Sequence, residues 1–273
     1  MAAVLELKAR LDNQLATAQE ETKHIDLFAP IAEREECPMC LVPLPINEGE
    51  IIFNECCGKR ICQGCFYNIF KTEIMKGITE HNWKMKTKEE FKCAYCRQSS
   101  TNIIKELKRL MKRNNTQAFI QMADKYKSGV EGVIQSNTKS LEMYICAAEL
   151  GCADAYVSIG LYFIEGLVVE QDSSKASEFW EVGAKKGSVS AHKYLARFHW
   201  KVNGNAQLMI DHLKVAASAG DQASMDNLMV NYKQTSLVSK EDLTQTLRAF
   251  QASINELRNK DRDEACEFYA DME

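Results

Sequence analysis

The 273-residue chain is poor in the residues that break or bend secondary structure. It has 4 prolines and 13 glycines, which excludes a collagen-like or low-complexity chain. No window approaches 18 uncharged apolar residues, so a membrane-spanning helix is not expected. The first ten residues carry Glu6, Lys8 and Arg10 where a secretory signal would need an apolar run. Neither sign of charge prevails overall, with 34 Lys or Arg against 38 Asp or Glu. The net charge is −4, which argues against a nucleic-acid partner. The sequence has no phosphate-cradling glycine loop and no nucleophile-triad signature. With these classes set aside, the expectation is an intracellular protein, cytoplasmic or nuclear, of one large or two smaller domains.

What the chain does have is cysteine. There are 11, and 8 of them lie between Cys37 and Cys96. Without an export signal the reducing interior of a cell is the expected setting, where clustered thiols mean metal more often than disulfides. The order is Cys37-Pro38-Met39-Cys40, then Cys56-Cys57, then Cys62-Gln63-Gly64-Cys65, then Cys93-Ala94-Tyr95-Cys96. Two residues between cysteines let one tight turn present both sulfurs to one ion, and zinc takes four such soft donors in a tetrahedron. Eight thiolates suit two zinc ions. A domain of this size, at 35–98, buries too little core to stand without such a staple.

Charge is unevenly distributed. Residues 84–113 hold ten Lys or Arg against three Glu, a net of +7, while 1–36 and 240–273 each stand at −4. Two cages of four thiolates would each carry −2, and Lys59, Arg60, Lys92 and Arg97 sit beside them in sequence. That gives the basic cluster a local role that needs no nucleic acid. A helix is expected over 4–22 from Val4, Leu7, Leu11, Leu15 and Ala18. Another is expected over 101–114, with Ile103, Ile104, Leu107, Leu110 and Met111 on one side. The opposite side of that second helix is basic, with Lys105, Lys108, Arg109, Lys112 and Arg113.

From residue 116 the chain repeats. Ala147-Ala148-Glu149-Leu150-Gly151 returns as Gly183-Ala184-Lys185-Lys186-Gly187 and as Ala216-Ala217-Ser218-Ala219-Gly220, with the glycines 36 and then 33 residues apart. Met122-Ala123, Ile159-Gly160, Leu195-Ala196 and Leu228-Met229 keep the same step, and so do Tyr144, Trp180 and Leu213. The physical reading is one helical hairpin per repeat. Ala and Gly mark close helix approach, a large apolar side chain fills the gap, and neighbours must stack to close a core. Asp172 is placed to cap a helix, and Ser239 with Asp242 resembles a capping box. Cys146, Cys152 and Cys266 read as small buried apolar groups. His192, His199 and His212 have no ligand neighbours in sequence and read as surface or core residues. Trp83 remains open as a domain anchor or a contact.

The repeat register resembles the Sel1-like subfamily of tetratricopeptide repeats. The best stretch is Ala155 to Gly187, with Ile159-Gly160, Tyr162, Gly166-Leu167, Asp172, Lys175-Ala176, Trp180 and Ala184 in family order. The resemblance implies a protein-binding α-solenoid without catalytic residues. The cysteine order resembles a RING finger. That implies a cross-brace in which Cys37, Cys40, Cys62 and Cys65 hold one zinc, and Cys56, Cys57, Cys93 and Cys96 hold the other. The adjacent pair departs from the family, which separates ligands three and four and often places a His fourth; Lys59 stands where that His would be. Either Cys56 has taken over the lost ligand, with Gly58 allowing the turn, or Cys57 binds and His81 completes the set.

The expected fold is therefore a small two-zinc cross-brace RING-like α+β module followed by an all-α solenoid of Sel1-like helical hairpins. The expected segments are an N-terminal amphipathic helix at 1–34, the zinc module at 35–98, a basic linking helix at 99–115, repeats at 116–260 and an acidic tail at 261–273. The RING resemblance implies a ubiquitin-protein ligase that positions a ubiquitin-conjugating enzyme, with a protein substrate or peptide recruited on the repeats. Met39, Phe66, Ile69, Phe70 and Arg97 would form the enzyme-facing contacts. Against the family pattern, Ala94 replaces the usual proline after the seventh ligand. A non-catalytic protein-interaction scaffold with structural zinc is the alternative.

Overall fold

The structure is a computed structural model, and it describes residues 2–31, 34–77, 93, 95–96, 102–259 and 261–265. It divides into two compact units. One takes in residues 1–32 and 119–253, the other residues 33–118 and 254–273.

The first unit is a series of helical hairpins. The pairs are α4 (Thr116–Ser128) with α5 (Asn137–Glu149), α6 (Ala153–Glu165) with α7 (Ser173–Lys185), α8 (Val189–Lys201) with α9 (Ala206–Ser218), and α10 (Gln222–Gln234) with α11 (Lys240–Leu257). The repeat markers explain the spacing. A Cβ on Gly160 would stand 2.3 Å from Trp180 Nε1, so the indole of α7 reaches α6 only because no side chain is there. Trp180 uses that approach to donate its N–H to the Val157 carbonyl at 3.2 Å. Gly183 is pressed in the same way against the Ala153 carbonyl and the Ala191 methyl, at 3.2 and 3.3 Å. Gly151, Gly187 and Gly220 end helices with φ of 88°, 95° and 103°, the left-handed region that glycine enters without penalty.

Caps set the helix starts. Asp172 Oδ1 accepts from Lys175 N–H at 2.9 Å. Asp242 N–H donates to Ser239 Oγ at 3.0 Å, and the Ser239 hydroxyl donates back to the Asp242 carboxylate at 2.9 Å. The N-terminal helix α1 (Ala2–Thr22) buries Leu7, Leu11, Leu15 and Ala18 and packs on α5 and α7. Arg10 Nε donates to Glu149 at 2.7 Å, and Gln14 donates to the Tyr156 hydroxyl at 2.8 Å.

The second unit carries the cysteines. Strands β1 (Ile51–Asn54) and β2 (Lys59–Cys62) form an antiparallel hairpin with Ile51 opposite Cys62 and Asn54 opposite Lys59. β2 runs directly into α2 (Gln63–Gly77), and α3 (Ile103–Met111) buries Leu107 and Leu110. The buried apolar cluster here is small: Cys37, Leu44, Ile61, Cys62 and Cys65. Three of its five members are the cysteines themselves, so apolar burial alone is a thin basis for this unit.

Candidate metal centre

The first knuckle is a turn closed on itself. Leu41 N–H donates to the Cys37 carbonyl and Cys37 N–H to the Val42 carbonyl, both at 2.9 Å. Leu41 takes the left-handed φ of 58° that the turn needs. The adjacent cysteines occupy the β1–β2 loop. Cys57 and Gly58 N–H groups both donate to the Asn54 carbonyl, at 3.1 and 2.7 Å. Gly58 has φ 75°, and a Cβ there would meet Asn115 Nδ2 at 2.8 Å. This loop therefore demands glycine on two counts, backbone angle and space.

These turns gather the sulfurs into two groups, Cys37, Cys40, Cys62 and Cys65, and Cys56, Cys57, Cys93 and Cys96. The Sγ separations are 3.9 Å for Cys37–Cys65, 3.8 Å for Cys40–Cys62, 3.8 Å for Cys57–Cys93 and 3.4 Å for Cys56–Cys96. A tetrahedron of sulfurs about 2.3 Å from a central ion has edges of about 3.8 Å. Disulfide sulfurs stand far closer, about 2 Å, and no cysteine among the described residues is bridged. Spacing and donor type therefore fit a four-thiolate ion site twice over.

Backbone dipoles are aimed at the sulfurs. Cys62 N–H donates to Cys37 Sγ, Cys65 N–H to Cys62 Sγ and Tyr95 N–H to Cys93 Sγ, each at 3.4 Å. Burial raises the Cys37 thiol, but the N–H groups of Cys62, Cys40 and Met39 outweigh it and hold the group down at about 7. Cys93 is lowered by the same balance. Burial pushes Cys57 up to about 11 and Cys56 and Cys65 further still. Without a cation each group keeps part of its protons. A divalent ion would draw all four sulfurs into the thiolate form.

The other residues singled out in the sequence fall as follows. Met39 and Leu41 project from the first knuckle and are 42% and 70% exposed. Phe66 and Ile69 are partly buried against the first cysteine group. Arg60 pairs with Glu35 at 3.3 Å, and Lys59 lies over the Tyr95 ring at 5.6 Å. The Phe70 side chain and residues His81, Trp83, Lys92, Ala94, Arg97 and Cys266 lie outside the described residues. The structure adds residues no motif pointed to. Arg109 Nη2 donates to the Cys56 carbonyl, Asn54 Oδ1 lies 3.6 Å from Cys93 Sγ, and Arg262 reaches Cys40.

In the hairpin unit, Phe28, Ile31, Thr246 and Ala249 help line a cavity of about 560 Å³. The cation at its edge, Lys214, is already paired with Asp211 at 3.1 Å and Asp242 at 3.7 Å. The three histidines form a buried group. His192 Nδ1 lies 3.0 Å from His212 Nδ1, and the His199 and His212 rings stack with centroids 5.3 Å apart. No helix among the described residues is long and apolar enough to cross a membrane.

No protein-family model matches the chain, and no curated protein matches it. Solved structures do. A Sel1 repeat protein from Oxalobacter formigenes is 25% identical over 56% of this chain and 63% of its own, with a TM-score of 0.47. The protective antigen c5321 of uropathogenic Escherichia coli, which displays an SLR fold, is 23% identical over 55% of this chain and 33% of its own, with a TM-score of 0.45. The immunity protein Pa5087 from Pseudomonas aeruginosa is 15% identical over 71% of this chain and 66% of its own, with a TM-score of 0.40. The chain thus spans less than two thirds of the length of the first two.

Proposed function

We propose that this chain is a zinc-dependent RING-type ubiquitin-protein ligase whose Sel1-like hairpins recruit a protein substrate. The observation that carries the reading is the interleaving of the cysteines. Pairs one and three converge on one point and pairs two and four on another, at the sulfur spacing of a tetrahedral ion. In this reading zinc is structural, and the cysteine module performs no covalent step. It holds a ubiquitin-conjugating enzyme so that a substrate lysine amine attacks the ubiquitin thioester. The amide bond forms, the thioester bond breaks, and the enzyme's cysteine leaves as a thiol. The contribution is positioning, which can supply a large share of a barrier reduction.

Met39 is the first-knuckle contact in this reading, and its side chain stands out from the turn. The hairpin unit supplies the recruiting arm, with Tyr144, Trp180 and Leu213 buried at equivalent places in successive second helices. A second reading, a non-catalytic scaffold with structural zinc, is favoured by one observation: Phe66 and Ile69 spend part of their surface on the cysteine group. An in vitro ubiquitination assay over a panel of conjugating enzymes separates the two. The ligase reading expects chain formation that drops at least tenfold in Met39→Arg while two zinc ions remain bound. No discharge of ubiquitin with any enzyme of the panel leaves the scaffold reading standing.

A further inference from the structure

Arg262 lies 222 residues along the chain from Cys40, yet its Nη2 is 3.9 Å from Cys40 Sγ. Its side chain is buried, with the residue 8% exposed. Nη1 donates to the Leu257 carbonyl at 3.0 Å and Nη2 to the Val42 carbonyl at 3.3 Å. Nε is buried without an acceptor. Of the carboxylates nearby in sequence, Glu256 pairs with Arg34, Asp263 with Arg258 and Glu264 with Lys71, and Asp261 makes no ion pair with Arg262. Arg34 adds a like charge, since Arg262 and Arg34 oppose one another electrostatically. A guanidinium withdrawn from water costs several kcal/mol unless a counter-charge meets it. Among the described residues no ion pair provides one. The group it does reach is the Cys40 sulfur.

A second observation shows how closely this segment is seated. A Cβ on Gly64, inside the Cys62–Cys65 knuckle, would stand 2.7 Å from Arg262 N and 2.8 Å from its Cα. The missing side chain at 64 is what lets the backbone of residue 262 lie on the knuckle. Two turns further along α2, Lys71 pairs with Glu264 at 3.0 Å, and Ala265 is buried at 1% exposure. Residues 261–265 therefore lie along the Gly64–Lys71 face of α2, the helix that carries Cys65 and directly follows Cys62.

We propose that Arg262 is the counter-cation of the first cysteine group, and that metal loading of that group is what docks residues 254–265. The inference rests on the two-ion reading above. Four thiolates around a divalent ion carry a net −2, which is the charge the buried guanidinium lacks. The coupling is reciprocal: if the loaded site holds the segment, the segment holds the ion. Arg262 is a positioning residue, acting on the site from outside its ligand shell, and such partners typically set 10–100-fold of metal affinity.

The test uses the full chain loaded with zinc. Ions per chain are counted by native mass spectrometry through a graded chelator challenge, and hydrogen exchange is followed over 254–265. Arg262→Gln is expected to give up one of its two ions at roughly 10–100-fold lower chelator than the unaltered chain. The second ion, on Cys56, Cys57, Cys93 and Cys96, reports an intact fold. Arg262→Lys, which keeps the charge and loses the fork to Val42 and Leu257, should restore most of the retention. Cys93→Ser should leave 254–265 protected, whereas Cys65→Ser should expose it. Equal retention in Arg262→Gln and the unaltered chain overturns the inference while leaving the two-ion reading in place. So does a Lys variant no better than Gln, or protection of 254–265 that ignores which cluster is disabled. A purified chain holding no metal overturns both together.

Discussion

At the scale of single residues, two glycines show that space and backbone angle are separate demands. Gly160 sits within α6, and its constraint is the indole 2.3 Å from where a Cβ would be. Gly151 has nothing within 4 Å of that position, but its φ is 88°. Gly160→Ala is therefore expected to cost about 1–3 kcal/mol through overpacking. Gly151→Ala should cost about 1 kcal/mol through strain alone. Urea titrations followed by circular dichroism would rank them. The repeat register was legible in the sequence because this steric demand is local and recurs. Arg262 was not legible. A lone arginine in an acidic stretch has no period, and nothing in its neighbours points to Cys40. The Cys56-Cys57 pair lies between these cases. Gly58 gave a reason for the turn, but only the folded loop places Cys56 Sγ 3.4 Å from Cys96 Sγ. Cys56→Ser should leave one tightly held zinc per chain, counted by native mass spectrometry. Retention of two would return the fourth donor to His81.

At the scale of elements, α8 and α9 meet through histidines rather than through aliphatic side chains alone. Burial holds His192 down at about 4 and His212 at about 3, the charges of His192 and His199 adding to the effect on His212. Unfolded histidine titrates near 6.5. Above that pH both states are neutral, and these groups make stability independent of pH. Below it the unfolded chain binds protons that the fold refuses, so stability falls from about pH 6.5 down toward pH 4. At pH 5 the loss is on the order of 2 kcal/mol for each of the two histidines. Thermal melts across pH 4–8 should show this decline, and His212→Gln should remove about half of it. Along the chain each histidine stands isolated, because the three come together only across a helix pair.

At the scale of the whole molecule, the two units rest on different forces. The hairpin unit buries a long series of aromatic and aliphatic side chains, among them Tyr156, Tyr162, Phe163, Phe179 and Trp180. The cysteine unit has Leu44 and Ile61 beside its thiols. Binding energies of about 10–16 kcal/mol have been assigned to structural zinc in small domains, more than that apolar cluster can supply. A chelator should therefore abolish one calorimetric transition and shift the other by only a few degrees. Loss of both transitions together would mean that the units do not melt independently. The division of the chain is also less linear than the sequence suggests. Residues 254–265 lie beyond the last repeat marker, yet they belong with residues 33–118.

The alternation of the sulfurs has a topological result. With both ions in place, a cut engineered anywhere from residue 78 to 92 would leave Cys93 and Cys96 on one fragment and Cys56 and Cys57 on the other. The two pieces would still share an atom, the second metal. Such a nicked chain is expected to stay a single particle under native conditions, with the second ion bridging the cut beside the packing of α1 on α5 and α7.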